Sequence, residues 1–317
     1  MSRDQSSHAE GPALVTGGAG FIGSNLVRAL RAEGRRVEVL DSVVHGRTDR
    51  VPGDVPLHRI DIRDTGAMDR VVDALAPATI FHLAAQVDVR VAVERPAEDA
   101  DVNILGTIAV LEAARRTGAG VVFASSGGAA YGDGPDVPLP TPESHRPAPQ
   151  SPYGLSKVCA EEYCAYYARV HGVRTAVLRL SNVYGPGQDH LGEGGVVAIM
   201  CGCAASGRTP TVFGDGLQTR DYVYVGDVVR AFLAAETAGT GSPLNIGTGV
   251  EVTVLDLLSG LGLEGRAVHA PERAGEVRRS VLDASAAGAA LGWRPRVTFD
   301  EGLRLTRAAL DPGAGAG

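Results

Sequence analysis

From Pro12 onward the chain alternates short β-rich runs with helical segments, which predicts an α/β fold: a doubly wound parallel sheet covered by helices on both faces. Two further observations point the same way. A glycine-spaced turn, Thr16-Gly17-Gly18-Ala19-Gly20-Phe21-Ile22-Gly23, follows the first run and opens a helical segment. Later, Tyr153 precedes Lys157 by four places, and Lys157 is the only lysine in the 317 residues.

The elements follow in order. Ala13-Leu14-Val15-Thr16 reads as the first strand, and Asn25 to Glu33 as its helix. Strands follow at Val37 to Leu40 and Leu57 to Ile60, then a helix at Ala67 to Leu75 and a strand at Thr79 to Leu83. Asp99 to Thr117 reads as one long amphipathic helix, Val121 to Ser125 as a strand, Pro152 to His171 as a second long helix, and Thr175 to Leu180 as a strand. Six such strands fit a Rossmann-type dinucleotide-binding sheet. After Asn182 the rhythm loosens around Gly185-Pro186-Gly187, which suggests a smaller α/β substrate lobe over the carboxyl edge of the sheet. The expected division is 11–181 with about 222–248 for the dinucleotide-binding domain, 182–221 and 249–312 for the lobe, and flexible termini at 1–10 and 313–317.

Composition sets bounds on function. A net charge of −7 argues against general nucleic-acid binding, which requires clustered cations. The four cysteines, Cys159, Cys164, Cys201 and Cys203, have no paired spacing that suggests a zinc or redox site, so reduced thiols and no metal are expected. The first ten residues carry no apolar run, and no later stretch approaches the roughly 18 apolar residues that span a bilayer. A cytoplasmic location, with no membrane partner, is the resulting expectation.

The glycine turn has a physical reading. Gly17 permits the tight turn, Gly20 lets backbone approach a pyrophosphate, and Gly23 lets helix and strand pack closely. The helix N-terminus then offers N–H groups to that anion, and Phe21 and Ile22 in the turn are further cofactor candidates. Asp41, at the end of the second strand, is placed to receive adenosine ribose hydroxyls and would repel a 2′-phosphate, so NAD is expected rather than NADP. Asp61 and Ile62 are candidates for the adenine, and Leu83, Ala84 and Ala85 for the small surface against the pyrophosphate. Tyr153 and Lys157 lie one helical turn apart and face the same side. A chain that uses arginine for every other basic position keeps lysine where a compact ammonium must reach a cofactor sugar and a phenol.

Further motifs are His82-Leu83-Ala84-Ala85-Gln86, Asn103 in Val102-Asn103-Ile104-Leu105-Gly106-Thr107, Ser125-Ser126-Gly127-Gly128-Ala129-Ala130-Tyr131-Gly132, Arg179-Leu180-Ser181-Asn182-Val183-Tyr184-Gly185-Pro186-Gly187 and Phe213 to Tyr222. Taken together with Tyr153 and Lys157, they resemble the extended short-chain dehydrogenase/reductase family and, within it, the UDP-galactose 4-epimerase group, from Leu14 to about Leu305. The resemblance implies that Tyr153 takes a proton from the sugar 4-hydroxyl as C4 gives hydride to tightly bound NAD, that the 4-keto sugar turns over, and that hydride returns to the other face. A phenol acting as a base near neutrality needs its pKa lowered by about three units, roughly 4 kcal/mol, which Lys157 and the positive nicotinamide together could supply.

The resemblance also assigns the remaining candidates. Many relatives carry a serine or threonine where this chain has Gly127, so Ser126, then Ser125, are the candidate hydroxyls. Asn103 is expected to bond buried backbone near the catalytic strand and is placed at the cofactor. Arg220 and Arg273 are candidates for the diphosphate, Asn182 for the diphosphate or sugar, Phe213 for the uracil, and Glu276 for the ribose. The helix start at Val196 and Val197 can add backbone donors. Ser280 stands at a sugar-pocket gate and is small, which suggests room for a 2-acetamido sugar. The glutamate, with aspartate or serine before it, that dehydratases and decarboxylases carry is replaced by Gly128 and Ala129. UDP-glucuronate 4-epimerase, then another nucleotide-sugar dehydratase or decarboxylase of the extended family, and a catalytically silent NAD-binding sensor remain as alternatives. The two long helices imply a homodimer by the same analogy.

Overall fold

The structure, a computed structural model, describes residues 11–191, 195–239, 242–272 and 277–310. Seven parallel strands form the main sheet: β1 (Ala13–Thr16), β2 (Val37–Leu40), β3 (Leu57–His58), β4 (Thr79–His82), β5 (Gly120–Ser126), β6 (Thr175–Leu180) and, much later in the chain, β11 (Pro243–Ile246). Their spatial order is β11-β6-β5-β4-β1-β2-β3, and β1 pairs with β2 and β4 through Ala13 opposite both Val37 and Thr79. The strand order reverses at β1 and β4, so their carboxyl ends open the crevice in which such folds bind ligands.

Alternation along the strands feeds two cores. Val15, Phe81, Val122 and Leu178 point to one face and pack with Leu26, Val27 and Leu30 of α1 (Phe21–Ala32) and Val228 and Phe232 of a later helix, 225–235. Leu14, Ile80, Val121 and Val177 point to the other and meet α2 (Thr65–Leu75), α5 (Gly106–Thr117) and α7 (Pro152–His171) through Met68, Leu111, Ala160 and Tyr167. Between α2 and α5 lie the short helices α3 (Val89–Glu94) and α4 (Pro96–Ala100), and α6 (Gly127–Ala130) follows β5. A third core gathers Tyr184, Val197, Met200, Tyr222, Leu257 and Leu303. It is enclosed by α8 (Val196–Ser206), α10 (Val254–Gly260) and the C-terminal α12 (Phe299–Ala308), whereas α9 (Val225–Ala235) and α11 (Ser285–Leu291) pack into the first core. Short strands accompany it: β7 (Asn182–Tyr184) beside β10 (Tyr222–Tyr224), β8 (Thr211–Phe213) beside β13 (Val268–Ala270), and β9 (Thr219–Arg220) between β12 (Val252–Thr253) and β14 (Arg279–Ser280).

Three elements differ from the sequence expectation. Helix α1 begins at Phe21 rather than Asn25, because Gly20 is itself the N-cap. The expected helix from Asp99 to Thr117 is broken: α4 passes into a π-helical stretch at Asp101–Leu105 before α5 begins. The wider turn rotates Asn103 inward, where its amide finds partners that a regular helix would deny it. The seventh strand, β11, escapes the pattern because Asn245 occupies a core position, with its amide donating to the Thr141 and Asp283 carbonyls and its oxygen accepting from the Tyr131 hydroxyl.

One buried ion pair joins helix to sheet. Arg179 on β6 donates twice to Glu161 on α7, through Nε at 3.0 Å and Nη2 at 2.6 Å, and its third nitrogen reaches the Tyr131 hydroxyl at 2.8 Å. Glu161→Ala would strand a buried guanidinium, and the expected cost is about 3–5 kcal/mol of unfolding free energy, read from urea denaturation. A loss below about 1 kcal/mol would mean that solvent replaces the carboxylate.

Candidate active site

The glycine turn is built by contacts within the protein itself. Gly17 has φ +73, and a Cβ there would sit 2.6 Å from the Ala84 nitrogen; one on Gly23 would sit 2.2 Å from the Gly17 oxygen. At Gly20 the nearest atom would be 3.1 Å away, so its spare space faces outward. No side chain caps the N-terminus of α1, which leaves the Phe21 and Ile22 turn open to an anion. Asp41 is buried on the rim of this turn and accepts from Ala19 N at 2.9 Å and Val43 N at 2.7 Å. Each oxygen retains a lone pair, so the carboxylate is fixed in place and still able to accept from a ribose. Leu83 and Ala84 press their backbone against Gly17, and Ala85 continues that edge. The open helix end, the bare glycine backbone and the oriented carboxylate fit a dinucleotide with free ribose hydroxyls.

Two adenine-side candidates have other bonds as well. Asp61 accepts from Arg63, which holds the carboxyl below its ordinary range, and Arg63 also pairs with Asp101 at 2.9 Å. Ile62 is buried against Gly106, where a Cβ would come within 2.5 Å of its Cδ1.

Behind the crevice runs a network in which Asn103 bonds buried backbone as expected, while the parts of His82, Thr107 and Ser156 were not foreseen. Thr107 donates to the Asn103 carbonyl and Thr16 accepts from Ala84 N, so the His82 ring, 3.0 Å from Thr107 and 2.8 Å from Thr16, donates through Nε2 and accepts at Nδ1. Burial pushes this imidazole down to about 3, with the Lys157 charge adding to the effect, so it is neutral and structural. Asn103 accepts from Gln86 N at 2.9 Å, and its amide reaches Gln86 O, Asp99 Oδ1 and Ser156 Oγ. Ser156 donates in turn to the Tyr153 carbonyl at 2.9 Å. Asn103 therefore acts on the cofactor side through the backbone that it fixes.

The end of β5 and the start of α7 meet residue by residue. Ser126 stands beside the Tyr153 hydroxyl and favours its ionised form, Lys157 Nζ donates to Ala124 O at 3.0 Å, and Ser125 donates to Glu161 at 2.5 Å. Ser125 is thus committed to the buried ion pair, whereas Ser126 faces the phenol. Part of Tyr153 reaches the surface, yet its surroundings are dense enough for burial to push the phenol up to about 12, with Asp99 adding to the rise and Ser126 opposing it. Burial pushes Lys157 down to about 8, against the pull of Asp99 and Glu161. The side chains alone do not deliver the lowered phenol expected from Lys157.

Gly127 also has a structural reason. A Cβ there would lie 2.5 Å from Leu282 Cδ1, so leucine fills the space of the side chain that many relatives carry. At Gly128 the corresponding atom would lie 3.7 Å from Asn182 Oδ1 and 4.0 Å from Ser280 Oγ. Gly128, Asn182 and Ser280 therefore line one space beside Ser126. Ser280 pairs with Arg220 between β14 and β9, and Arg220 donates to the Thr219 carbonyl at 2.7 Å. Phe213 is half-buried at the end of β8, with its carbonyl accepting from Gln218. Val196 opens α8 half-buried while Val197 is buried in the third core, so only its backbone can face a ligand. Arg273, Glu276 and Gly194 lie outside the described residues. Asp221, within a motif but without an expected role, is a buried carboxylate that accepts from Thr248 N and Oγ1, Gly249 N and Leu282 N. Among the described residues no group of His, Cys, Asp or Glu could hold a metal ion, and no helix is long and apolar enough to cross a membrane.

Comparison with known proteins agrees with this geometry. Residues 13–247 match the family model described as the NAD dependent epimerase/dehydratase family. A UDP-glucose 4-epimerase of Mycolicibacterium smegmatis is 42% identical over 303 residues, covering 92% of this chain and 96% of the relative. A putative UDP-glucose 4-epimerase of Methanocaldococcus jannaschii is 43% identical over 296 residues, covering 92% and 95%. Among solved structures, that of a UDP-glucose 4-epimerase with UDP-glucose from Thermotoga maritima superposes with a TM-score of 0.91 at 43% identity, over 94% of this chain and 98% of the other. The chain therefore belongs to the NAD dependent epimerase/dehydratase family, and NAD is its cofactor.

Proposed function

We propose that the chain is an isomerase that inverts C4 of a UDP-hexose, with Tyr153 as acid and base, Ser126 as the hydroxyl that shares the proton, and Lys157 as the ammonium beside them. The observation that carries the reading is the pairing of Tyr153 with Ser126 at the carboxyl end of β5, with Lys157 one turn away. When bound, NAD supplies the hydride acceptor and donor at C4. Tyr153 removes the 4-hydroxyl proton and returns it after the sugar has turned. Ser126 bridges phenol and sugar oxygen, and Lys157, fixed by Ala124 O, stabilises negative charge as it develops. Gly128 and Ala129 carry no acid or base, which argues against elimination at C5 and C6. The poised phenol likewise argues against a silent sensor.

The substrate side rests on residue types and their placement. Asn182, Ser280 and Arg220 approach the sugar and diphosphate from one side, and Phe213 offers a ring to uracil; Arg273 and Glu276 are assigned by their motif alone. The small Ser280 side chain beside Gly128 leaves room at C2. A homodimer fits the stripe Leu155, Tyr163, Tyr166 and Val170 exposed along α7, where spacings of eight, three and four residues keep one helical face. All four cysteines are unpaired, in keeping with a cytoplasmic setting.

Three outcomes test the reading. Tyr153→Phe should cut kcat by about 10²–10⁴-fold and Ser126→Ala by about 10–100-fold, whereas Ser125→Ala should lower stability and spare kcat; the opposite serine pattern would hand the role to Ser125. UDP-glucose and UDP-N-acetylglucosamine should turn over comparably, and Ser280→Tyr should abolish only the second activity; exclusion of the acetamido sugar by the parent enzyme would remove the open-gate reading. Light scattering should give a dimer that Tyr166→Arg dissociates, and a monomeric parent at micromolar concentration would refute the interface.

A further inference from the structure

Asp99 is buried, 1% exposed, on α4, and the mechanism above makes no use of it. Its Oδ1 accepts from Gln86 Nε2 at 3.1 Å and Asn103 Nδ2 at 3.0 Å. Its Oδ2 is buried with no hydrogen-bond partner, and no described cation forms an ion pair with it. A buried carboxylate in that condition is costly unless a positive charge lies nearby. Lys157 is in the complementary condition: 3% exposed, hydrogen-bonded to the Ala124 carbonyl, lying over the Phe123 ring at 4.8 Å, and in no ion pair.

Every charged or titratable group around Lys157 bears on the choice of counter-charge. On its own helix Glu161 is neutralised by the two-pronged contact with Arg179 from β6, while Tyr153 and the buried Cys164 stay protonated. His82 on β4 is neutral. Asp99 on α4 is the remaining buried carboxylate, and its Oδ1 is two hydrogen bonds, through Asn103 at 3.0 and 3.1 Å, from Ser156, the residue before Lys157, close enough to favour the ammonium.

We propose that Asp99 is a positioning residue that serves as the fixed counter-charge of Lys157, holding it as an ammonium while orienting the Asn103 amide that leads through Ser156 to the Tyr153 backbone. The proposal rests on the epimerase reading for its catalytic meaning, and its physical content is independent of that reading. The same negative charge favours the protonated form of both Lys157 and Tyr153, so its removal lowers both pKa values. Asp99 thus trades some reactivity of the phenol for retention of the ammonium.

The solitary lysine makes a direct test feasible, because a chain labelled with 13Cε-lysine gives one side-chain resonance. In Asp99→Asn, which keeps an acceptor for Gln86 and Asn103, the Lys157 titration midpoint should fall by about one unit from its parent value near 8, and both limbs of the kcat/KM pH profile should move to lower pH. Asp99→Ser carries the same expectation if the amide variant does not fold. An unchanged lysine midpoint in a folded variant would overturn the proposal. The titration needs no substrate, so a chain without epimerase activity could still show the shift, and an active epimerase could still lack it.

Discussion

The site depends on a register between one strand end and one helix face. Ala124, Ser125 and Ser126 close β5, and Lys157, Glu161 and Tyr153 stand on three successive turns of α7. Each strand residue faces one helix partner: the Ala124 carbonyl accepts from the ammonium, the Ser125 hydroxyl donates to the carboxylate, and Ser126 stands beside the phenol. Helical turns advance by 5.4 Å, and alternate strand residues face opposite sides of the sheet, so a slip of one residue would break all three contacts together. Arg179 fixes the register from the neighbouring strand by gripping Glu161 with two nitrogens. Tyr153 and Lys157 are therefore placed by a structural ion pair one turn further along the same helix.

Charge sets the chemistry within that frame. With the phenol raised to about 12, a base near neutrality needs about 7 kcal/mol of preferential stabilisation of the phenolate, more than the roughly 4 kcal/mol that an unperturbed tyrosine would require. Burial raises the demand and also strengthens whatever positive charge meets it, because the surroundings screen poorly. An ammonium and the positively charged form of the nicotinamide both qualify, and the second is present only in the oxidised cofactor. Lys157 supplies the first from within the chain, and bound oxidised NAD would supply the second.

Much of the fold was legible because its signals are local. The second long helix was read to its true ends, since Ser151 caps Gly154 N and Gly172 closes the helix with positive φ. Strands β1, β2 and β6 were equally plain as short β-rich runs. The break at Asp101–Leu105 was not, because a π turn gains its stability from Asn103 meeting Gln86, 17 residues away. Strand β11 was hidden by Asn245, polar in sequence and buried in fact. In the site, Gly17 and Gly23 could be read from their spacing, whereas the choice between Ser125 and Ser126 depends on which serine Glu161 captures. Asp99 and Glu161 look in sequence like any acids on a helix; only their burial gives them meaning.

The glycine at position 127 shows how the chain can dispense with the usual hydroxyl. Leu282 fills the space in front of it, and Leu282 is held by its own backbone N–H on Asp221. The same carboxylate gathers Thr248 and Gly249, and a Cβ on Gly247 would approach it to 2.3 Å, so the loop after β11 and the segment after β14 are drawn onto one buried charge. Thr141 adds a bridge to this segment, donating to the Val281 carbonyl and accepting from Asp283 N. The wall beside Ser126 thus includes Ser280 and Leu282, more than 150 positions later in the chain. A serine restored at 127 would have to displace Leu282 and disturb that wall, whereas Ser126 needs no such displacement because its neighbours at 127 and 128 carry no side chains. The bare backbone at 127 and the Leu282 side chain in front of it are two sides of the same packing solution, which leaves Ser126 as the hydroxyl at the strand end beside the phenol.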